Sequence, residues 1–339
     1  MLSKNPVSNL SFAHTLKRWG KASTSHPIIT LMTASVSTGT GLLSRLINGL
    51  LSIKPLASFA KSKARKMMID RAENMGVPWT SEARSLQNRN WDREFQQVQN
   101  PTLVYPDYYL RSFHAYDQGN LSWEAASEVE VAAKSVHAHI WPGAGVEGDS
   151  RLRNSYHEVL AAQIADSPQA ILDLGCSVGM STVALQKLYP QATLTGLDLS
   201  PYFLCVAQYK SEQQHPNITW IHAAAESTGL PDSSFDLVSA CLIFHELPVE
   251  ASRQIIQEAR RLLRPGGHLA IMDMNPQSEI YAKMPPYILT LLKSTEPYLD
   301  QYFSLDIAQA FVEAGFEKPT ITHNSPRHRT IIAQVKTAN

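Results

Sequence analysis

The sequence predicts an α/β fold built on a mostly parallel sheet. From residue 170 onward, short β-branched runs alternate with longer amphipathic segments, which is the pattern of right-handed βαβ units. The last two runs, at 318–324 and 328–335, lie too close in sequence for a helical crossover, so they should pair as an antiparallel hairpin. A chain of 339 residues is long enough for one such domain and an appended segment.

The part of the chain before the sheet is predicted to be largely helical. Gly76 and Pro78 should end the first of these helices, because glycine favours a helix C-terminus and proline cannot continue a helix. In chain order, we expect a helix at 56–76, a polar linker at 80–100, a helix from Trp123, a loop at 142–150 and a helix at 151–165.

The segments from residue 170 onward supply the sheet and the helices that cover it. The predicted strands are 170–174, 193–198, 218–223, 235–243 and 267–275, followed by the two strands of the hairpin; the predicted helices lie near 180–188, 200–213, 249–263 and 304–316. The RPGG segment at 264–267 is predicted to be a turn, and a Pro- and Tyr-rich insertion occupies 276–303.

The charge distribution separates the N-terminal 69 residues from the rest of the chain. Residues 1–69 contain ten of the thirty Lys and Arg residues and none of the thirty acids. This segment is either an organelle-targeting peptide, an arm that contacts an anionic membrane surface, or a solvated tail. Its most apolar part, 41–53, is predicted to be an amphipathic helix, and it is too short to span a bilayer. The acid-rich remainder lacks the basic stripe expected of a nucleic-acid-binding protein.

The three cysteines, Cys176, Cys205 and Cys241, are spaced 29 and 36 residues apart. This spacing matches no zinc site, iron–sulfur site or disulfide framework, so no metal is expected. Buried thiols in a reducing compartment are the simplest interpretation. We therefore expect a cytoplasmic protein, with membrane association or organelle targeting through the N-terminal arm left open.

The segment ILDLGCSVGMST at 171–182 joins a strand to a helix through a glycine-containing turn. A Walker phosphate loop would need Gly-Lys-Ser/Thr five residues after Gly175, where this chain has Met180 and Ser181. A dinucleotide fingerprint would need glycines where Ser177 and Met180 stand. A nicotinamide- or flavin-dependent enzyme is therefore a poor fit.

The same turn has the pattern acid-x-Gly-x-small-x-Gly at Asp173, Gly175, Ser177 and Gly179. It resembles motif I of the class I S-adenosylmethionine-dependent methyltransferases, which most often have a third glycine at the position of Ser177. Glycine lets the backbone pass beneath a ligand without a side chain in the way. Asp198, at the end of the second predicted strand, is placed where a carboxylate can accept hydrogen bonds from both ribose hydroxyls.

Two later segments extend the resemblance to about 165 residues. AAAESTGLPDSSFDLV resembles the adenine-binding segment of the ubiquinone/menaquinone-biosynthesis-like branch, although Ala224 replaces its usual Asp, and EARRLLRPGGHLAI matches a later segment. The resemblance implies S-adenosylmethionine as cofactor and a Rossmann-like, seven-stranded sheet with an N-terminal helical cap. It assigns cofactor contacts to Asp173, Gly175, Cys176, Ser177, Gly179, Asp198, Leu199, Ala225, Glu226 and Cys241.

The resemblance also implies the division of the chain and the region that binds the methyl acceptor. We expect a basic arm at 1–69, a helical and aromatic-rich cap at 70–159, and the methyltransferase domain at 160–339. FHELP, directly after the fourth strand, lacks the N-P-P-F/Y-type motif of enzymes that methylate DNA or glutamine amides, and MPPY at 284–287 comes after the fifth strand. The acceptor is therefore expected to be a small molecule.

Four residues are candidates for the chemistry or for positioning the acceptor: His245, Glu246, His114 and Tyr116. The insertion at 276–303, which contains Tyr281, Tyr287, Tyr298 and Tyr302, should supply the other wall of the acceptor site. Such walls suit a lipophilic or aromatic molecule methylated at carbon or oxygen. A catalytically silent cofactor-binding scaffold is the main alternative, and the oligomeric state does not follow from the sequence.

Overall fold

A computed structural model describes residues 65–112, 116–212 and 217–336. Its centre is a seven-stranded sheet in the order β3-β2-β1-β4-β5-β7-β6. The strands are β1 Ala170–Leu174, β2 Thr193–Asp198, β3 Thr219–His222, β4 Phe235–Cys241, β5 Leu263–Met274, β6 Thr320–Thr322 and β7 His328–Gln334. The predicted α/β architecture and seven-stranded sheet are confirmed.

Strands β1 to β5 pair with one another in parallel, and β7 is antiparallel to both β5 and β6. The predicted C-terminal hairpin is therefore present, because five residues between β6 and β7 cannot hold a crossover helix. The carboxyl ends of the parallel strands meet at one edge of the sheet, and the strand order reverses between β1 and β4. Ligands of doubly wound folds bind at such a switch point.

Helices cover both faces of the sheet and form a cap beside it. The helices are α1 at 65–74, α2 Trp79–Gln87, α3 Asp92–Val98, α4 Trp123–His137, α5 Gly148–Gln163, α6 Met180–Leu188, α7 Pro201–Glu212, α8 Val249–Leu262, α9 Glu279–Ala282, α10 Pro286–Thr295, α11 Leu299–Ser304 and α12 Ile307–Glu313. Two 3-10 turns lie at Gly145–Glu147 and Phe244–Glu246.

The core has one layer on each side of the sheet. Leu152, Tyr156 and Leu160 of α5 pack with Leu185 of α6 against one face. Helices α8, α11 and α12 cover the other face. The cap helices α2 to α4 pack on α7 through Trp91 and neighbouring apolar residues, so the cap lies over the β2–β3 side of the sheet.

Most predicted elements after residue 170 match the structure to within two residues, but RPGG at 264–267 is not the predicted turn. It lies inside β5, where Phe235 pairs with Leu263 and Leu237 pairs with His268. The chain bulges between these two pairs, with Gly266 at φ 79°. A bulge accommodates extra residues without ending the strand, and pairing with β4 resumes at His268.

The predicted polar linker at 80–100 is wrong, since this segment forms most of α2 and all of α3. Its apolar residues are few, but Trp79, Ala83 and Leu86 follow helical spacing and are buried. Trp91, just before α3, begins a second series that continues with the partly buried Phe95 and Val98. The helical spacing of apolar residues in α2 and α3 was not recognised because the outward faces of both helices are highly polar.

Three other segments contain more helix than predicted or lie partly outside the described residues. Helix α5 begins at Gly148, within the predicted loop at 142–150, and it crosses the predicted domain boundary between residues 159 and 160. The insertion at 276–303 forms α9, α10 and most of α11. The basic arm up to residue 64, including the amphipathic segment 41–53, lies outside the described residues. Across the described ranges, every helix is too short or too polar to cross a bilayer.

Candidate active site at the carboxyl edge of the sheet

The motif I turn connects β1 to α6 in a left-handed conformation at three positions. Gly175, Ser177 and Gly179 have φ angles of 65°, 51° and 84°. The turn is tied to β2 because the Cys176 amide donates to the Leu197 carbonyl over 3.0 Å. Left-handed residues interspersed with buried neighbours fix the path of the backbone at the switch point of the sheet.

The two glycines of the turn also make room for side chains that the sequence did not reveal as part of the site. A Cβ atom on Gly175 would lie 2.6 Å from Cγ2 of Ile243, and one on Gly179 would lie 2.7 Å from Cη2 of Trp220. Ile243 follows β4, and Trp220 belongs to β3. No local pattern links these residues to motif I, since the contacts form only when the sheet assembles.

Asp173 lies at the end of β1 and holds the start of α6. Its Oδ2 atom accepts from Ser181 Oγ at 2.7 Å and from Thr182 Oγ1 at 2.6 Å. Its Oδ1 atom is buried and has no hydrogen-bond partner among the described residues. Burial raises the pKa of Asp173 to about 6, although the two hydroxyl donors oppose this shift.

Asp198, at the end of β2, is bonded through its side chain to the backbone of the motif I turn. Its carboxylate accepts from the Ser177 amide at 2.8 Å and from the Ser200 amide at 2.7 Å. Burial raises its pKa to about 6 as well. The next residue, Leu199, is buried and its carbonyl contacts His222 Nε2 at 3.0 Å. The carboxylate is therefore fixed at the edge of the sheet where a ribose was predicted.

Glu226 stands close to the position at which Ala224 replaces the usual Asp. Its Oε1 atom accepts from the Tyr108 hydroxyl at 2.5 Å, and its Oε2 atom is buried without a partner among the described residues. Ala224 pairs with Ser227 through an isolated backbone bridge, and Ala225 is buried in the core. Glu226 is thus the acidic group of this segment, and the cap supplies its partner.

Both cysteines of the predicted cofactor set are buried and neutral. Burial raises the pKa of the Cys176 thiol and raises that of Cys241 to about 12. Cys176 lies beneath the turn, where a Cβ on Gly196 would come within 3.0 Å of its sulfur atom. Cys241 ends β4, and its sulfur lies 3.7 Å from Nη1 of Arg153. Neither thiol is ionised at neutral pH.

His245 lies in the 3-10 turn after β4 and forms an ion pair with Asp273. Its Nδ1 atom is 2.8 Å from Asp273 Oδ1, and the second carboxylate oxygen accepts from the Phe244 amide at 2.8 Å. Burial alone would lower the pKa of His245, but the charge and hydrogen bond of Asp273 outweigh it and raise that pKa to about 10. His245 is therefore an imidazolium at neutral pH, and both of its ring nitrogens carry a hydrogen.

The other three predicted acceptor-side residues have different surroundings. Glu246 adjoins His245, and Asn120 Nδ2 of the cap lies 3.5 Å from its Oε2 atom. The Tyr116 hydroxyl donates to Glu128 within the cap, and this residue is not brought to the His245–Asp273 pair. His114 lies outside the described residues.

The cap contributes tyrosines from residues 105–109, just before the predicted candidates His114 and Tyr116. Tyr108 bonds to Glu226, and the Tyr105 hydroxyl lies 3.2 Å from His222 Nε2. Tyr298 of the insertion meets Tyr108 edge-to-face, with ring centroids 6.2 Å apart. The repeated tyrosines of YPDYY were a visible signal in the sequence, but nothing in it showed that they faced β2 and β3.

The donor side fits the polar groups of S-adenosylmethionine. Asp173 Oδ1, Ser177 Oγ and Glu226 Oε2 are buried oxygen atoms without partners among the described residues. Buried polar atoms are almost always hydrogen-bonded in native proteins, so a ligand with several donors is expected here. An ammonium group, ribose hydroxyls and an adenine amino group supply such donors.

Comparisons with known proteins agree with this geometry. Residues 171–267 match the family model described as "Methyltransferase domain". An uncharacterized methyltransferase of Synechocystis sp. is 32% identical over 162 residues, covering 48% of this chain and 73% of that protein. A phthiotriol/phenolphthiotriol dimycocerosates methyltransferase of Mycobacterium leprae is 32% identical over 133 residues, covering 38% of this chain and 45% of that protein.

A malonyl-[acyl-carrier protein] O-methyltransferase of Halalkalibacterium halodurans is 33% identical over 116 residues, covering 33% of this chain and 42% of that protein. The match thus spans most of the first relative and less than half of the other two. The chain belongs to the class I S-adenosylmethionine-dependent methyltransferases of the small-molecule type, and S-adenosylmethionine is its cofactor.

Proposed function

We propose that this methyltransferase transfers its methyl group to a carbon or oxygen atom of a small, lipophilic or aromatic acceptor. The observation that carries the proposal is the His245–Asp273 pair at the end of β4 and β5, beside aromatic residues from the cap and the insertion. S-adenosylmethionine supplies an electrophilic methyl group, so the protein itself mainly has to align the acceptor and exclude water.

The aromatic residues near this edge favour a flat or apolar acceptor. Tyr108 of the cap and Tyr298 of the insertion are in edge-to-face contact, and the guanidinium of Arg111 lies 5.9 Å from the Tyr298 ring. Tyr281 packs against Phe303 with centroids 5.4 Å apart. Pockets lined by apolar and aromatic groups with few polar groups are typical of small-molecule sites.

The protonation state of His245 defines what it can do for such an acceptor. As an imidazolium held at Nδ1 by Asp273, it donates a hydrogen bond from Nε2. A donor of this kind orients an acceptor oxygen and stabilises negative charge on that oxygen. The pair is therefore better suited to binding an enolate, phenolate or carboxylate oxygen than to removing a proton at neutral pH.

Two relatives support acceptors of these chemical types without specifying one for this chain. The Mycobacterium leprae protein is named for phthiotriol/phenolphthiotriol dimycocerosates, and the Halalkalibacterium halodurans protein is named as an O-methyltransferase. Both proteins are matched over less than half of their length, so their substrates serve here only as examples of what the shared domain can accommodate.

The proposal is tested by incubating the protein with methyl-labelled S-adenosylmethionine and a fractionated cell extract, followed by mass spectrometry. We expect label in a small molecule of the organic-soluble fraction. The Asp198→Ala variant, with a weakened ribose site, is the matched control. Label confined to protein or nucleic acid would contradict the proposal, and cofactor binding without any labelled product would favour the silent scaffold.

We further propose that the basic arm at 1–69 brings the protein to an anionic membrane surface, where a lipophilic acceptor would be found. Ten basic residues without an acid should bind anionic vesicles in a salt-sensitive way. Sedimentation of the full chain with phosphatidylserine-containing and pure phosphatidylcholine vesicles measures this. Equal sedimentation with both vesicle types would contradict binding of the arm to anionic membranes.

A further inference from the structure

A buried arginine near the start of β7 takes no part in the functions described so far. Arg329 is 7% exposed, and its Nε atom is buried without a hydrogen-bond partner among the described residues. An arginine side chain carries five N–H donors and keeps its charge at physiological pH. Buried donors are almost always hydrogen-bonded and a buried charge without a counter-ion is costly, so this guanidinium group calls for a further acceptor.

Arg329 lies beside the His245–Asp273 pair. In the antiparallel register of β5 and β7, Arg329 is the direct partner of Asp273, and directly opposed residues project from the same face of a sheet. The two side chains therefore stand next to each other at the edge of the sheet where the parallel strands end. The guanidinium carbon of Arg329 lies 5.8 Å from the centre of the Tyr302 ring, and the Tyr302 hydroxyl donates to the Met274 carbonyl at 2.8 Å.

Asp273 is not the counter-ion of Arg329, because its carboxylate is occupied by other donors. One oxygen accepts from the Phe244 amide at 2.8 Å and from the His245 amide at 3.3 Å. The other oxygen lies 2.8 Å from His245 Nδ1 and accepts from the Met274 amide at 2.6 Å. The ion pair of Asp273 is with His245, and no carboxylate of the described residues forms an ion pair with Arg329.

The other acidic groups near this pair act on His245. Glu246 and Glu296 raise the pKa of His245 through their charge, and each of them has a further partner. The guanidinium of Arg329 instead acts on Tyr302, where it opposes the rise in pKa that burial causes. A neutral phenol is a weaker partner for a guanidinium group than a carboxylate is, so the charge of Arg329 lacks a matching anion within the described part of the chain.

The position of β7 separates Arg329 from the methyl donor. Motif I follows β1, and β4 and β5 lie between β1 and β7 in the sheet. Since neighbouring strands are about 4.8 Å apart, β7 lies roughly 14 Å from β1. Methyl transfer requires the reacting atoms to be about 3 Å apart. An anionic group bound by Arg329 is therefore too remote to be methylated itself, and it can only hold the acceptor in place.

We propose that Arg329 binds a carboxylate of the methyl acceptor, so that the acceptor is an organic acid methylated at another atom. The planar guanidinium fork matches the two oxygens of a carboxylate. His245, which follows β4, lies between this anchor and the motif I turn, where it can contact the part of the acceptor that reacts. The inference rests on the function proposed above, because it assigns a chemical group to the same acceptor. An ordered water or an inorganic anion on Arg329 is the alternative occupant.

The first test measures the charge of the product and uses the unaltered protein. The labelled small molecule formed from methyl-labelled S-adenosylmethionine and cell extract is applied to an anion exchanger at about pH 7 and at about pH 2. We expect retention only at the higher pH, because a carboxylate becomes protonated near pH 4. A product that is never retained, or one that stays retained at about pH 2 as a phosphate or sulfate ester would, overturns the inference. Absence of any labelled small molecule would contradict the proposed function and this inference with it.

The second test asks whether Arg329 recognises that carboxylate. When the carboxylates of the extract are converted to methylamides, transfer by the unaltered protein should fall about 10- to 100-fold, as for loss of a charged hydrogen-bonded pair. In Arg329→Met, transfer to the untreated extract should fall by a similar factor, and amidation should cause little further loss. An equal effect of amidation on both proteins would show that Arg329 does not bind the carboxylate and would overturn the inference.

Arg329→Lys covers the case in which the Met variant does not fold. It keeps the charge but not the fork geometry, so amidation should reduce its transfer by a smaller factor than in the unaltered protein. The calorimetric Kd for S-adenosylmethionine should stay within about twofold in both variants, since β7 is distant from the donor-side turn. A parallel loss of cofactor affinity and transfer would show that Arg329 is merely structural.

Arg264→Met is the matched control for removal of an arginine from the sheet. Arg264 pairs with Asp236 at the start of β5 and β4, the edge opposite to the candidate site. The ratio of transfer to untreated and amidated extract should therefore stay within about twofold of the unaltered protein. A loss of that ratio in Arg264→Met as large as in Arg329→Met would show that the effect does not arise at Arg329, and would overturn the proposal.

Discussion

The donor and acceptor sides of the site are built in different ways. On the donor side, Asp173, Gly175 and Gly179 come from one twelve-residue segment, and Asp198 joins them through a backbone hydrogen bond to the turn. On the proposed acceptor side, Tyr108, His245 and Tyr298 come from three distant parts of the chain. A ligand shared by a family can be bound by a local motif, whereas an acceptor specific to one protein is bound by surfaces that meet only on folding.

The largest effect is expected from a change in the donor-side turn. In Gly175→Ala, the new Cβ would lie 2.6 Å from Ile243 Cγ2 at a φ of 65°. We expect a loss of about 2–5 kcal/mol in the free energy of unfolding, combining left-handed strain with overpacking. Urea denaturation measures the loss, and calorimetry should show that cofactor binding falls with it.

Gly229→Ala is the matched control for this change, because Gly229 has a φ of 71° and a Cβ there would meet no atom within 4 Å. It should cost only about 1–2 kcal/mol of left-handed strain. If Gly175→Ala and Gly229→Ala lose the same free energy of unfolding, the contact with Ile243 adds nothing to the loss. Ile243→Ala in the Gly175→Ala background should recover part of the difference.

The acceptor side should respond to His245→Ala in a different way. We expect turnover to fall by about 10²-fold, the lower limit for a group that handles charge at the reacting centre. Affinity for S-adenosylmethionine should remain nearly unchanged, because His245 lies beyond the donor-side turn. Comparison of kcat with the calorimetric Kd tests this. A loss of folding stability that matches the loss of turnover would indicate a purely structural histidine.

The His245–Asp273 pair also predicts a pH dependence of stability. Because the folded-state pKa of His245 is raised to about 10, its contribution to stability is fully present below about 6.5 and is lost as pH rises through 10. Asp273→Asn should bring the pKa of His245 down toward its ordinary value. NMR titration of the His245 imidazole resonances measures its pKa in the unaltered protein and in the variant. An unchanged pKa in the variant would show that Asp273 does not raise it.

A smaller effect is expected from Asp198→Ala, which should weaken cofactor binding by about 1.5–3 kcal/mol. Since the pKa of Asp198 and that of Asp173 are raised to about 6, their contribution to stability is fully present below about 3.8 and is lost as pH rises through 6. The cationic cofactor should favour the ionised carboxylates, so its affinity should rise over the same interval. Calorimetry between pH 5 and 8 would contradict this if the affinity stayed constant.

The smallest effect should come from the link between the two sides, the Tyr108–Glu226 hydrogen bond. Tyr108→Phe removes only the hydroxyl and should weaken cofactor binding by about 0.5–1.5 kcal/mol. Tyr105→Phe is the matched control, because its hydroxyl contacts His222 instead. Equal losses in the two variants would mean that the cap acts as a whole and not through Glu226.

The accuracy of prediction from the sequence also differs between the donor side and the acceptor side. Strands β1 and β2 match their predicted limits because β-branched runs and turn residues bound them locally. The cap was largely misassigned at 80–100, where two short helices have polar outer faces and only a few buried apolar residues. The spacing of apolar residues therefore predicts a strand or helix when the buried face of that element is wide, and it fails when that face is narrow.

The candidate site shows the same limit at the level of single residues. His245 was predicted as a candidate because it comes shortly after the fourth predicted strand, a position defined by topology. Ile243 was missed because it reaches the motif I turn from another element, and only the packed structure shows how close it lies to Gly175. Residues that act across elements leave no spacing in the sequence from which to predict them.

The contact between Trp220 and the motif I turn has a practical consequence. The indole of Trp220 lies where a Cβ on Gly179 or Gly196 would be, and its Nε1 atom donates to Ser211 Oγ at 3.0 Å. A fluorophore in this position is a built-in optical reporter, since any rearrangement of the glycine turn changes the surroundings of the ring. A cofactor that rearranges the turn should therefore change the tryptophan emission of the unlabelled protein.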